Sequence, residues 1–209
     1  NPLEECNLQN AYKTGKQLQT WATNFHHANG KDISVECTVF PLYQDKKLEG
    51  SVVAFRDVTE RRLLLEELKW QATHDQLTKL PNRAYFEQQL IQEVSRLKRS
   101  TENSALLYID LDRFKYINDT AGHMVGDKFR SRLREADTLA RLGGDEFAVI
   151  MRNVDEKDAY AAADNFRNVL EEYEFVHAGK MYKVHASIGI AYITSESRAS
   201  GEVLANADI

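Results

Sequence analysis

Four acids in this 209-residue sequence stand where they could hold a divalent cation. Asp110 and Asp112 close the apolar run 105–109, and the two-residue period of an extended strand puts both side chains on one face. Carboxylates emerging together repel unless a cation intervenes, yet acids also end strands simply because a solvated turn begins; for this pair both readings stand. Calcium of the EF-hand kind is excluded, since that loop needs Gly at its sixth position and Lys115 is there.

The other two acids change the balance. Gly143-Gly144 lies between two strand-like runs and suits a tight hairpin whose central residues need positive φ, while the missing side chains let backbone approach a ligand closely. Asp145 and Glu146 follow at its tip and would face Asp110 if the two strands are neighbours. A few carboxylates with no Lys or Arg among them, completed by substrate oxygens, is what a Mg²⁺ site for phosphates requires. No G-x-x-x-x-G-K-[ST] run exists, so a P-loop nucleotidase is excluded. A nucleotide-sugar glycosyltransferase built on Asp110-x-Asp112 becomes unnecessary once the hairpin is counted.

These acids need a sheet to carry them. Residues 105–112, 138–142 and 146–151 read as strands, and helices are predicted over 83–98 and 156–173. A hairpin of 174–178 with 181–193 and the start of a helix near Gly201 complete the second part. Before it, 17–28, 33–43 and 48–59 are rich in β-branched and aromatic residues and read as three antiparallel strands. Residues 60–74 form a short amphipathic helix with Leu64 and Leu68 among charges, suited either to pair with its own copy or to lie on its domain. Strands, hairpins and helices in this order predict an α+β sheet with helices packed against it.

Composition narrows the class further. A net charge of -5 offers no basic face for phosphate neutralisation, so a nucleic-acid partner is not expected. Cys6 and Cys37 are too few and too far apart for a disulfide framework or zinc site, which points to a reducing, cytoplasmic setting. No apolar run approaches the roughly 20 residues of a membrane span. A chain that stops inside an expected helix fits a part of a longer protein, and whether that protein is membrane-anchored stays open.

From Asp75 onward the chain resembles the GGDEF domain, the diguanylate cyclase family. The resemblance rests on Asp75-x-Leu77-Thr78-x-Leu80-Pro81-Asn82-Arg83, Asp110-x-Asp112-x-Phe114-Lys115-x-Ile117-Asn118-Asp119, Gly122-His123-x-x-Gly126-Asp127 and Gly143-Gly144-Asp145-Glu146-Phe147. It implies a central, mainly antiparallel sheet flanked by helices, like nucleotidyl cyclases and polymerase palms, and condensation of two GTP into cyclic di-GMP and two pyrophosphates. Asp145 then resembles the catalytic acid, and Asp110, the Leu111 carbonyl, Asp145 and Glu146 resemble the ligands of two Mg²⁺ or Mn²⁺ ions. Asn118 and Asp127 resemble the guanine-reading pair, and Phe114 and Lys115 the segment that cradles phosphates. Arg134 and Asp137 resemble the R-x-x-D product-inhibition site, although an i,i+3 ion pair on a helix surface would look the same. Because one domain binds one GTP, the resemblance implies a homodimer.

Residues 1–60 resemble the C-terminal strands of a PAS sensor domain, ending in Arg56-Asp57-Val58-Thr59-Glu60-Arg61-Arg62. The expected organisation is thus a partial PAS domain over 1–60 with an unknown signal, a connecting helix over 61–74, and a GGDEF domain over 75–209 with a shortened end. Only nine residues, 128–136, separate Asp127 from Asp137, where the family carries a longer helix. The alternative function is a GGDEF module that binds GTP or cyclic di-GMP and regulates an attached EAL-type phosphodiesterase. His26 and His27, adjacent in a strand, would point to opposite faces and so do not suggest a shared haem or metal.

Overall fold

The computed structural model describes residues 18–26, 28–112, 125–172, 174–177 and 180–207. The chain divides into two compact units, 1–69 and 70–209.

In the first unit β1 (Leu18–His26), β2 (Asp32–Gln44) and β3 (Lys47–Asp57) form an antiparallel sheet with β2 in the centre. Alternation along β2 buries Val35, Cys37 and Val39 on one face. His26 pairs with Asp32 across the first hairpin, and both are exposed. His27 lies outside the described residues. Helix α1 (Thr59–Thr73) follows; Thr59 donates its amide to the Asp57 carboxylate at 2.9 Å as the helix begins. None of its residues is buried, and Leu63, Leu64 and Leu68 are exposed.

The second unit is built on a four-stranded sheet of β4 (Ser104–Leu111), β5 (Thr138–Gly143), β6 (Glu146–Arg152) and β9 (Ala186–Ile193), in the order β5-β6-β4-β9. Every pairing is antiparallel. Helix α2 (Arg83–Leu97) covers one face: Phe86, Leu90, Val94 and Leu97 recur at helical spacing and pack with Leu106, Tyr108, Ala148 and Ile150. Helix α4 (Ser200–Ala207) adds Val203 and Ala207 to that layer. Helix α3 (Glu156–Glu171) covers the other face through Ala159, Phe166 and Leu170, against Leu107, Ile109, Phe147 and Val149. Phe129, from a helical stretch at 125–130, meets Phe147 and Phe166 edge-on at 5.7 and 5.0 Å. Sandwiched between these layers, β4 is buried on both faces until Asp110, and so reads as a continuous apolar run.

Local chemistry sets the helix starts. Asn82 accepts the Tyr85 amide at 3.0 Å and Asp155 accepts that of Asp158 at 2.8 Å, each satisfying a donor that the first helical turn leaves open.

One expected element divides. The predicted strand over 181–193 is two: β8 (Lys180–Lys183), which pairs with β7 (Glu174–His177), and β9, which joins the main sheet. The break falls where Val184 turns into the core and the His185 carbonyl accepts the Asp112 amide at 2.9 Å, so the chain passes from one sheet to the other.

A buried carboxylate ties α2 to the sheet. Glu93, 2% exposed, accepts from Arg96, Arg152 and the Ser104 hydroxyl at 2.6–3.1 Å. Burial alone would push its carboxyl up from the ordinary 4.5, but the hydrogen bonds from Arg96, Ser104 and Arg152 together with the Arg96 charge outweigh it, and the net direction is down. A carboxylate depressed in the folded state contributes fully above its ordinary value and ceases to contribute as the pH falls through the folded one. Glu93→Gln should therefore cost about 3 kcal/mol in urea unfolding at neutral pH, with the gap to the parent closing as the pH falls below 4.5. A gap that stays constant would contradict this.

Candidate functional site

The Gly-Gly hairpin is held from below by a buried arginine. Arg141, 6% exposed, sends Nε and Nη2 to the Gly144 carbonyl at 3.1 and 2.6 Å and Nη1 to Asp75 at 3.0 Å. Asp75 in turn accepts from the Thr78 amide and hydroxyl at 2.8 and 2.7 Å. Burial would raise the Asp75 carboxyl, but the Thr78 bonds and the Arg141 guanidinium outweigh it and lower it. Two donors from one edge of the guanidinium converge on that carbonyl and hold a turn in which Gly143 has φ 154° and Gly144 φ 51°, the second in the left-handed region that favours glycine.

That hairpin delivers its acids to the end of β4. Asp110 stands opposite Glu146 in the β4–β6 register, and the Leu111 amide donates to the Asp145 carbonyl at 3.1 Å. The condition set by the sequence, that the two strands be neighbours, is met. Burial first, and then the charges of Asp145, Asp112 and Glu146, push the Asp110 carboxyl up. Mutual repulsion of this kind is what a divalent cation would relieve, and oxygen donors of this type are those such an ion takes. Among the described residues, no three His, Cys, Asp or Glu side chains already form a metal-holding group.

Arg83 explains part of the present arrangement. From the first turn of α2 it reaches Glu146 at 2.8 Å and the Leu142 carbonyl at 3.2 Å. Tyr108, one strand over, has its phenol pushed up to about 12, by burial first and then by its hydrogen bond to Glu146 and that residue's charge. In the sequence Arg83 stands within a motif with no role of its own, and Tyr108 has none. The two-residue spacing from Tyr108 to Asp110 was the available signal, because it puts both on one face of β4.

Of the remaining expected residues, Asp127 is exposed on the helical stretch at 125–130, and Phe114, Lys115 and Asn118 lie outside the described residues. Arg134 and Asp137 come together: the Arg134 amide donates to the Asp137 carboxylate at 3.0 Å, and both line a cavity of about 450 Å³. They sit on a turn and do not form a helix-surface ion pair.

An open antiparallel sheet that brings hairpin acids against an acid on the adjoining strand defines a class of carboxylate site suited to phosphate chemistry. The family model described as diguanylate cyclase, GGDEF domain, matches residues 72–209, and one described as PAS fold matches 2–63. The chain belongs to the GGDEF diguanylate cyclase family. It is 38% identical over 193 residues to the Escherichia coli K12 protein named "Probable diguanylate cyclase DgcE", covering 88% of this chain and 18% of that one. With diguanylate cyclase TpbB of Pseudomonas aeruginosa it shares 39% over 151 residues, covering 68% of this chain and 35% of that protein. The chain thus spans about a third or less of the length of these relatives. The coiled coil and GGDEF domain of Caulobacter crescentus DgcB, solved with c-di-GMP, has the same fold at TM-score 0.63 and 24% identity, covering 72% of this chain and 84% of that one.

Removing the clamp should be costly. Arg141→Ala leaves Asp75 half-buried without its cation, and a loss of about 3 kcal/mol in urea unfolding is expected, against near zero for the exposed Arg167→Ala.

Proposed function

We propose that this chain makes cyclic di-GMP, joining two GTP molecules with release of two pyrophosphates. The observation that carries the reading is the register of Asp110 against Glu146 beside the clamped Gly-Gly turn, in a chain of the diguanylate cyclase family. Two divalent ions, Mg²⁺ or Mn²⁺, would be held by Asp110, the Leu111 carbonyl, Asp145 and Glu146, and their chemistry when bound is to neutralise phosphate charge and lower the pKa of the attacking hydroxyl.

Each residue then has a task. Asp145 takes the proton of the 3′-hydroxyl as its oxygen attacks the α-phosphorus of the other GTP, whose pyrophosphate leaves in line. Glu146 is released from Arg83 to serve the site, and Arg83 is left beside the incoming phosphates. Asn118 and Asp127 read guanine: the carboxylate accepts from N1–H and the exocyclic amine, a donor edge that adenine lacks. Phe114 and Lys115 cradle the β- and γ-phosphates. Arg134 and Asp137 form the site where product inhibits.

The same chemistry needs two GTP-loaded domains face to face, hence a homodimer. The exposed leucines of α1 support pairing of that helix with its copy, and the PAS-fold segment supports control by a sensor. We assign the sensor part to 1–60, the connector to 61–74 and the GGDEF domain to 75–209, on the cytoplasmic side of any membrane. Among the described residues no helix is long and apolar enough to cross one.

The test is incubation of the purified protein with GTP and Mg²⁺ and chromatography of the products. Cyclic di-GMP should form, with a rate per subunit that rises with protein concentration, and Asp145→Ala should abolish it. Arg134→Ala should relieve inhibition by added cyclic di-GMP. Absence of product at every protein concentration, or full activity of Asp145→Ala, would refute the reading.

A further inference from the structure

The turn that carries Arg134 and Asp137 has no regular secondary structure of its own between the helical stretch ending at 130 and β5. Something else must hold it. Asp137 closes it locally, accepting the Arg134 amide through Oδ2 at 3.0 Å, while its own amide donates to the Arg134 carbonyl at 3.1 Å. Its second oxygen, Oδ1, accepts the backbone amide of Arg152, the last residue of β6, at 3.1 Å.

The side chain of Arg152 completes the attachment. Nη1 donates to the Ala136 carbonyl at 2.6 Å, Nε to the buried Glu93 at 3.1 Å, and Nη2 to Gln89 at 3.3 Å. A planar guanidinium has donors in fixed directions, so one side chain binds the turn on one edge and α2 on the other. Because Glu93, shared with Arg96, faces it and three acceptors take three of its five N–H donors, Arg152 is held by the scaffold, although it lines the same cavity as Arg130 and Arg134. Nothing in the R-x-x-D pattern includes it.

We propose that Arg152 is the positioning residue of the product-inhibition site: it clips the 134–137 turn to α2 and so orients the Asp137 carboxylate and the Arg134 backbone before ligand arrives. The proposal rests on the reading of Arg134 and Asp137 as that site. Orientation in advance matters because a ligand that must itself order a loop loses that free energy from its affinity. Lysine keeps the charge of Arg152 but lacks the fork that reaches Ala136, Glu93 and Gln89 together.

Calorimetric titration of the full chain with cyclic di-GMP, and separately with a non-hydrolysable GTP analogue, tests this. In Arg152→Gln and Arg152→Lys alike, the Kd for cyclic di-GMP should rise relative to that for the analogue by about tenfold. Gln89→Ala removes one outer contact without unpairing Glu93, and should raise the same ratio by roughly twofold if the arginine variants do not fold. Parent affinity in Arg152→Lys would mean that charge alone acts, and would overturn the clip. An equal rise for both ligands, or an unmoved ratio in Gln89→Ala, would overturn it too. If the parent does not bind cyclic di-GMP, or Arg134→Ala binds it unchanged, the product-site reading falls and the clip with it; a Kd moved by Arg134→Ala but not by Arg152→Gln sinks the clip alone.

Discussion

The guanidinium of Arg141 is the interaction on which the placing of the hairpin acids depends. Buried between Asp75 and the Gly144 carbonyl, it joins the segment before α2 to the tip of the β5–β6 hairpin. Without it the Gly144 carbonyl would lose both of the side-chain donors that hold it. With it, Asp145 and Glu146 emerge at one place, level with the end of β4. The arginine is itself stabilised by what it holds: Asp75 is kept ionised by Thr78 and Arg141 despite burial. A buried charge pair of this kind adds little net stability over an apolar pair, but breaking one side is expensive, so it fixes geometry.

The acids so delivered are in tension. Asp110, although its side chain reaches solvent, is disfavoured as an anion by partial desolvation and by three neighbouring carboxylates, while Glu146 is paired with Arg83. Positive charge at the end of the sheet would relieve that repulsion. Arginine supplies the order elsewhere as well. Arg83 holds the hairpin acid, Arg141 its turn and Arg152 the turn at 134–137.

Much of this was legible in the sequence, for definite reasons. Helices α2 and α3 were visible because their apolar residues recur at helical spacing behind an Asn or Asp cap, and β4 because a central strand buried on both faces is a continuous apolar run. Asp110, Asp145 and Glu146 could be named because their motifs are local. The break at Val184–His185 was hidden, since apolar and polar residues alternate straight through it and only sheet membership divides β8 from β9. The arginine contacts were hidden for another reason: Arg141 meets Asp75 across 66 residues, and Arg152 meets Glu93 across 59. In a local window, Arg152 looks no different from a solvated charge at a strand end.

The central claim is that Asp110, Asp145 and Glu146 are brought together to hold a divalent cation. Thermal unfolding of the parent and of Asp110→Asn, each with and without Mg²⁺, addresses it most directly. The account predicts that Mg²⁺ raises the Tm of the parent, and that Asp110→Asn has the higher Tm without metal, having lost the repulsion, but barely responds to it. An equal Mg²⁺ response in the two proteins, or a lower metal-free Tm for Asp110→Asn, would contradict it.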